Sequence, residues 1–162
     1  MSIITRFLIV ASLSAAGAMG GLYFSKRLKT RASYYEALVD FINHTLTQVK
    51  FRKDPIKKIM QSFIDLGETP LNKNLLEYIA VDTPNSLSLS RGVLKTGEIE
   101  EIKQFLVSIG TLDSQTQIFE LEAYKEKFNH ILVVANEKKR IFGGMYVKLG
   151  FFAGLALGII VI

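Results

Sequence analysis

FLIVASLSAAGAMGGLYF, Phe7 to Phe24, runs for eighteen residues without a charge and decides how the rest of the chain is read. With Ile3 and Ile4 across Arg6 it makes a helix about 30 Å long, the thickness of a bilayer's hydrocarbon core. Residues 3–24 are therefore expected to form a transmembrane helix. At the other end LGFFAGLALGIIVI, Leu149 to Ile162, is uncharged for only fourteen residues. Tyr146 and Val147 lengthen it, and Lys148 can reach the headgroups from its first turn, so residues 146–162 are expected to form a second, short transmembrane helix. Residues 25–145 between them are expected to be a helical domain.

Basic residues set the orientation. Lys26, Arg27, Lys29 and Arg31 come just after the first span, Lys138, Lys139 and Arg140 precede the second, and Lys148 lies at its entrance, against a lone Arg6 near the N-terminus. This asymmetry places the intervening domain in the cytoplasm. A cleaved signal peptide is the rival, because Arg6, the apolar run and Ala16-Gly17-Ala18 imitate its three regions. The four basic residues downstream oppose export of the chain beyond them. Both spans carry small residues four apart: Gly17 and Gly21 in the first, and Gly150, Gly154 and Gly158 on one face of the second. Such faces allow close helix packing.

The 162 residues contain no Cys and two His, which excludes disulfide frameworks, thiolate metal sites and thiol nucleophiles. The mean hydropathy of +0.25 in a chain that is 22% charged concentrates apolar residues at the two ends. The pI near 9.4 has the same origin. Residues 32–137 hold 11 basic against 15 acidic residues, a net charge of −4, so no nucleic-acid partner is expected. Lys50, Arg52, Lys53, Lys57 and Lys58 cluster around Asp54, as on a solvated turn or a surface for anionic lipid or an acidic partner.

Helical periodicity fills the middle. Tyr35, Leu38, Val39, Ile42, Leu46 and Val49 mark one stripe, and Ile56, Ile59, Met60 and Phe63 the next. Asp54-Pro55 and Thr69-Pro70 look like N-cap and first-turn proline pairs, with Gly67 ending the helix between them. A third helix is expected from Leu71 to Ala80, a polar loop from Asp82 to Gly92, a fourth helix from Glu98 to Ile109, and a long fifth from Ser114 to about Arg140. The fold class is all-α: a membrane-anchored antiparallel helical bundle whose first and last helices run into the N-terminal and short C-terminal transmembrane helices. The aromatics from Tyr34 to Phe128, Phe51 and Phe119 among them, are scattered along these helices rather than grouped, and are read as core and boundary packing.

No catalytic, cofactor-binding or metal-binding set is found. Phosphate-loop spacing is absent, and Glu98, Glu100 and Glu101 lie where carboxylates complement a helix dipole. Asp40 and Glu126 stand four residues before His44 and His130, as ordinary helix-surface pairs. The most informative polar string is GTLDSQTQ, in which Gly110 ends one helix and Asp113, or Ser114 with Gln117, caps the next. Its functional reading is a corner where Gly110, Asp113 and Gln117 contact a partner.

Ser25-Lys-Arg-Leu-Lys29, the Val49-Lys-Phe51 to Pro55 junction, IGTLDSQTQ and the tail from Tyr146 to Ala156 together resemble the stage III sporulation protein AB family of endospore-forming bacteria. The chain differs in having Leu112 where the family usually has Ser, and no Trp before the fourth helix. The resemblance implies a soluble part similar to the cytoplasmic domains of type II secretion platform F proteins, and a function without catalysis. It implies an inner-membrane platform or assembly subunit of a sporulation channel, in the mother-cell membrane around the forespore and required for forespore development. Its partners would be membrane lipid and other stage III channel proteins, including the secretion-type ATPase, protein AA. Self-association is left open. A membrane-anchored helical adaptor or regulator unrelated to secretion is the alternative.

Overall fold

The computed structural model describes residues 3–51, 54–81, 89, 92–109 and 114–161. Among them the fold is all-α: α1 (Ile3–Phe51), α2 (Ile56–Ile64), α3 (Asn72–Ala80), α4 (Thr96–Ser108) and α5 (Ser114–Val161). The chain divides into two compact units, one of Met1–Thr30 with Val134–Ile162, the other of Arg31–Val133. The expected domain limits at 24/25 and 145/146 fall inside the first unit. Its two helices keep packing beyond the apolar stretches because Ser25 and Gly143 are small where they meet.

The first unit is an antiparallel pair made by the start of α1 and the end of α5. A Cβ built on Gly158 would lie 2.9 Å from the Val10 Cα, and one on Gly154 2.9 Å from the Ser14 Cα. On Gly21 it would lie 2.7 Å from the Val147 Cα, and on Gly143 3.6 Å from the Ser25 Oγ. Steps of three or four residues along α1 are matched by steps of three or four back along α5, as an antiparallel pair requires. No proline interrupts either helix, and backbone contact offsets the roughly 1 kcal/mol weakness of each glycine in a helix.

The second unit is a helical bundle around Tyr35, Leu38, Phe41 and Ile42 of α1, Met60 of α2, Leu75 of α3, Ile102, Phe105 and Leu106 of α4, and Leu121 and Phe128 of α5, all fully buried. The stripe expected on α1 is the buried one. Phe105 lies at the centre of a set of rings, with centroids 5.0 Å from Tyr124, 5.5 Å from Phe128 and 6.4 Å from Phe41. The Phe41 and Phe128 rings meet Phe105 edge to face, an arrangement that contributes beyond the buried area. The aromatics are thus grouped rather than scattered, with two exceptions: Phe51 is 82% and Phe119 75% exposed, against the expectation that they pack.

Two helix starts differ from the proline-pair reading. The Pro55 carbonyl accepts the N–H groups of Lys58 and Ile59, which makes Pro55 the residue before α2, while Asp54 pairs with Lys58. At α3 the Thr69 hydroxyl donates to Asn72 Oδ1, and Asn72 Nδ2 donates to the Gly67 carbonyl. These side chains close the connecting turn, and the helix begins two residues after Pro70. The loop from Asp82 to Gly92, apart from Leu89 and Gly92, and Arg52 and Lys53 of the basic cluster lie outside the described residues.

Candidate functional site

The small residues of the two long helices meet each other. A Cβ on Gly17 would strike the Gly150 carbonyl, and one on Gly154 the Leu13 carbonyl. Gly17, Gly21, Gly150, Gly154 and Gly158 therefore all lie in one interface within the chain, whereas a Cβ on Gly20 or Gly144 would meet nothing within 4 Å. The expected spacing of four is what α1 and α5 share, and it leaves backbone against backbone.

One end of this pair carries a band of rings and then a band of charge. Tyr23, Phe24, Phe142 and Tyr146 form a chain of contacts, with centroids 5.9 Å apart for Tyr23 and Phe24, 5.8 Å for Phe24 and Tyr146, and 6.0 Å for Phe142 and Tyr146. Tyr23 and Phe24 are 61% and 53% exposed. Because Ser25 faces Gly143, the same register levels Lys26, Arg27 and Lys29 with Lys138, Lys139 and Arg140. Lys148, exposed, lies two turns further into the apolar stretch. Arg6 stands twenty residues before Lys26, about 30 Å along the helix. Sequence reasoning found the cations but missed the rings, whose signal is the Tyr23-Phe24 pair lying just before Lys26.

Arg31, counted among the orienting cations, has a different setting. It is half-buried in the second unit, where its guanidinium donates to Glu98 and lies over the Tyr35 ring at 5.8 Å. Burial alone would push the Glu98 carboxyl up, but the Lys95 N–H at 2.9 Å and Arg31 outweigh it and hold the group below its ordinary value. Glu98 thus serves α4 as its dipole partner and α1 as a tertiary one. Glu101 pairs with Lys127 of α5.

His44 bonds to Ser62 Oγ at 2.8 Å rather than to Asp40, and packs on Phe63. The Ser62 hydroxyl gives its proton to the Ile59 carbonyl, so toward the imidazole it accepts, and His44 Nε2 is the donor. This polarity is the reverse of a nucleophile and its base. No group of three metal-ligating side chains occurs among the described residues. An open groove of about 600 Å³ between α1 and α5, lined by Asn43, Lys50, Phe51, Glu122 and Asn129 among others, has charges of both signs.

At the GTLDSQTQ corner, Gly110 and Asp113 lie outside the described residues. Gln117 Nε2 donates to the Ile109 carbonyl, so its amide closes the end of α4 from the next helix.

α1 and α5 are each long and apolar enough to cross a membrane. Residues 85–162, just under half of the chain, match the model of the stage III sporulation protein AB family. The match supports the resemblance read from the sequence. It takes in the GTLDSQTQ corner and the tail, while the basic exit and the Val49 to Pro55 junction precede it. The stage III sporulation protein AB family implies a role in stage III of sporulation and is not a known enzyme family. No curated protein and no solved structure matches the chain.

Proposed function

We propose that this chain is a non-enzymatic membrane subunit of a sporulation channel, anchored by the α1–α5 pair, whose helical bundle faces the cytoplasm and receives other assembly components. The observation that carries the anchor is the sequence of bands at one end of the pair: apolar surface, then exposed rings, then cations. Aromatic rings favour the membrane interface, and an excess of Lys and Arg favours the cytoplasmic side of it. The family match supports the sporulation role. The platform character, the place in the mother-cell membrane around the forespore, and the secretion-type ATPase, protein AA, as partner rest on the family resemblance.

Affinity purification of the tagged chain from sporulating cells at engulfment tests this reading. Copurification of the ATPase with other stage III proteins supports a platform subunit; recovery with regulatory proteins alone moves the chain to the adaptor reading. Orientation is checked in the cysteine-free background by Thr47→Cys, an exposed position of α1, which should stay unlabelled by a membrane-impermeant thiol reagent until cells are lysed.

A further inference from the structure

We propose that Lys26, Arg27, Lys29, Lys138, Lys139 and Arg140 form one collar that binds anionic phospholipid headgroups and thereby holds the two ends of the chain together. The proposal rests on the membrane reading above and adds a ligand of defined charge at a defined level. Three of these cations come from α1 and three from α5, more than a hundred residues apart, and the Ser25–Gly143 contact brings them to one height. Five are exposed and Lys139 is half-buried. None is within ion-pair distance of a described carboxylate. Glu137 is the one acidic residue among the described residues of this unit.

Six positive charges on two helices in backbone contact repel each other over distances comparable with the Debye length, about 8 Å at physiological salt. The protein itself supplies almost no counter-charge there. Phosphodiester groups would supply it from outside, and two features select a lipid as their carrier. The rings of Tyr23, Phe24 and Tyr146 lie directly below the cations, at the depth where aromatic side chains meet the headgroup region. Below them Met19 and Leu22 continue an exposed apolar surface for acyl chains, 70% and 56% exposed. An anionic lipid satisfies both bands at once, whereas a soluble polyanion meets only the upper one.

Each Lys or Arg at an anionic surface strengthens binding about fivefold. The test reconstitutes the full chain in vesicles of phosphatidylcholine mixed with phosphatidylglycerol, re-extracts it in mild detergent and counts retained lipids by native mass spectrometry. Phosphatidylglycerol should be retained in excess. The excess should fall at least about fivefold in Lys138→Gln/Lys139→Gln/Arg140→Gln and in Lys26→Gln/Arg27→Gln/Lys29→Gln, and persist in Lys138→Arg/Lys139→Arg. The wild-type chain should also melt at a higher temperature in mixed bilayers than in phosphatidylcholine alone. Equal retention of the two lipids, unchanged retention in both triple variants, or a melting temperature indifferent to the lipid overturns the proposal. Alkaline carbonate separates the two levels: a chain stripped from vesicles by it removes the membrane reading, and one that resists yet holds no excess phosphatidylglycerol removes the collar alone.

Discussion

The Arg31 guanidinium donates to the Glu98 carboxylate across 67 residues of sequence, and so joins α1 to the first turn of α4. The same carboxylate accepts the Lys95 N–H at 2.9 Å, which makes one side chain both a helix cap and a tertiary tie.

Arg31→Gln should therefore destabilise the bundle by about 2 kcal/mol, since it leaves a largely buried carboxylate without its cation. Thermal unfolding of the full chain in detergent, followed by circular dichroism, measures this. The folded Glu98 carboxyl sits below its ordinary value of 4.5, so its contribution is present above that value and is lost as pH falls through the folded one. Arg31→Gln should weaken this acid dependence.

Burial holds His44 below its ordinary 6.5. The unfolded chain takes up a proton that the native protein resists, so the stability of the neutral imidazole is whole above 6.5 and is lost as pH falls below it. Between about pH 7.5 and 5.5 the urea midpoint should drop less in His44→Gln than in the wild type. Equal slopes would show that another group governs that window.

Rings of similar kind should differ sharply when truncated. Phe128→Ala opens a cavity beside Tyr35, Phe105 and Tyr124 and should destabilise by about 3–5 kcal/mol, whereas Phe119→Ala, at an exposed site of the same helix, should stay within about 0.5 kcal/mol. Denaturant midpoints of the two variants separate these outcomes.

The helix register predicts a disulfide. Ser25→Cys with Gly143→Cys should cross-link within one chain under mild oxidation, because a Cβ on Gly143 lies 3.6 Å from the Ser25 Oγ and the chain has no other cysteine. Gly154→Leu, which drives a side chain into the Leu13 carbonyl and the Ser14 backbone, should reduce that cross-link. Gly20→Ala, with open space around its Cβ, should not.

Much of the architecture was legible because periodicity is a local property: the Tyr35 to Val49 stripe, the Ile56 to Phe63 stripe and the uncharged run from Phe7 to Phe24 each announce a helix. Partner choice is not local. Arg31 resembles its basic neighbours in sequence, and only the arrival of Glu98 distinguishes it. Gln117 has the spacing of a cap for its own helix, yet its amide reaches the Ile109 carbonyl of the preceding one. Phe51 and Phe119 look like core residues by type alone, since exposure depends on what the rest of the bundle covers. The glycine positions could be marked as a close-contact face, but that α1 of the same chain fills it depends on the tertiary pairing of the two helices.

The glycine ladder also poses a problem of alignment. Small residues recurring every four positions form a periodic contact, and a periodic contact is nearly indifferent to sliding one helix by a full turn, about 5.4 Å. Uniqueness must come from residues that break the repeat. Val10 against Gly158 at one end and Ser25 against Gly143 at the other do so, because a one-turn slip would bring different side chains to both places. The middle of the interface thus governs how closely the helices approach, while its two ends decide which residues face each other.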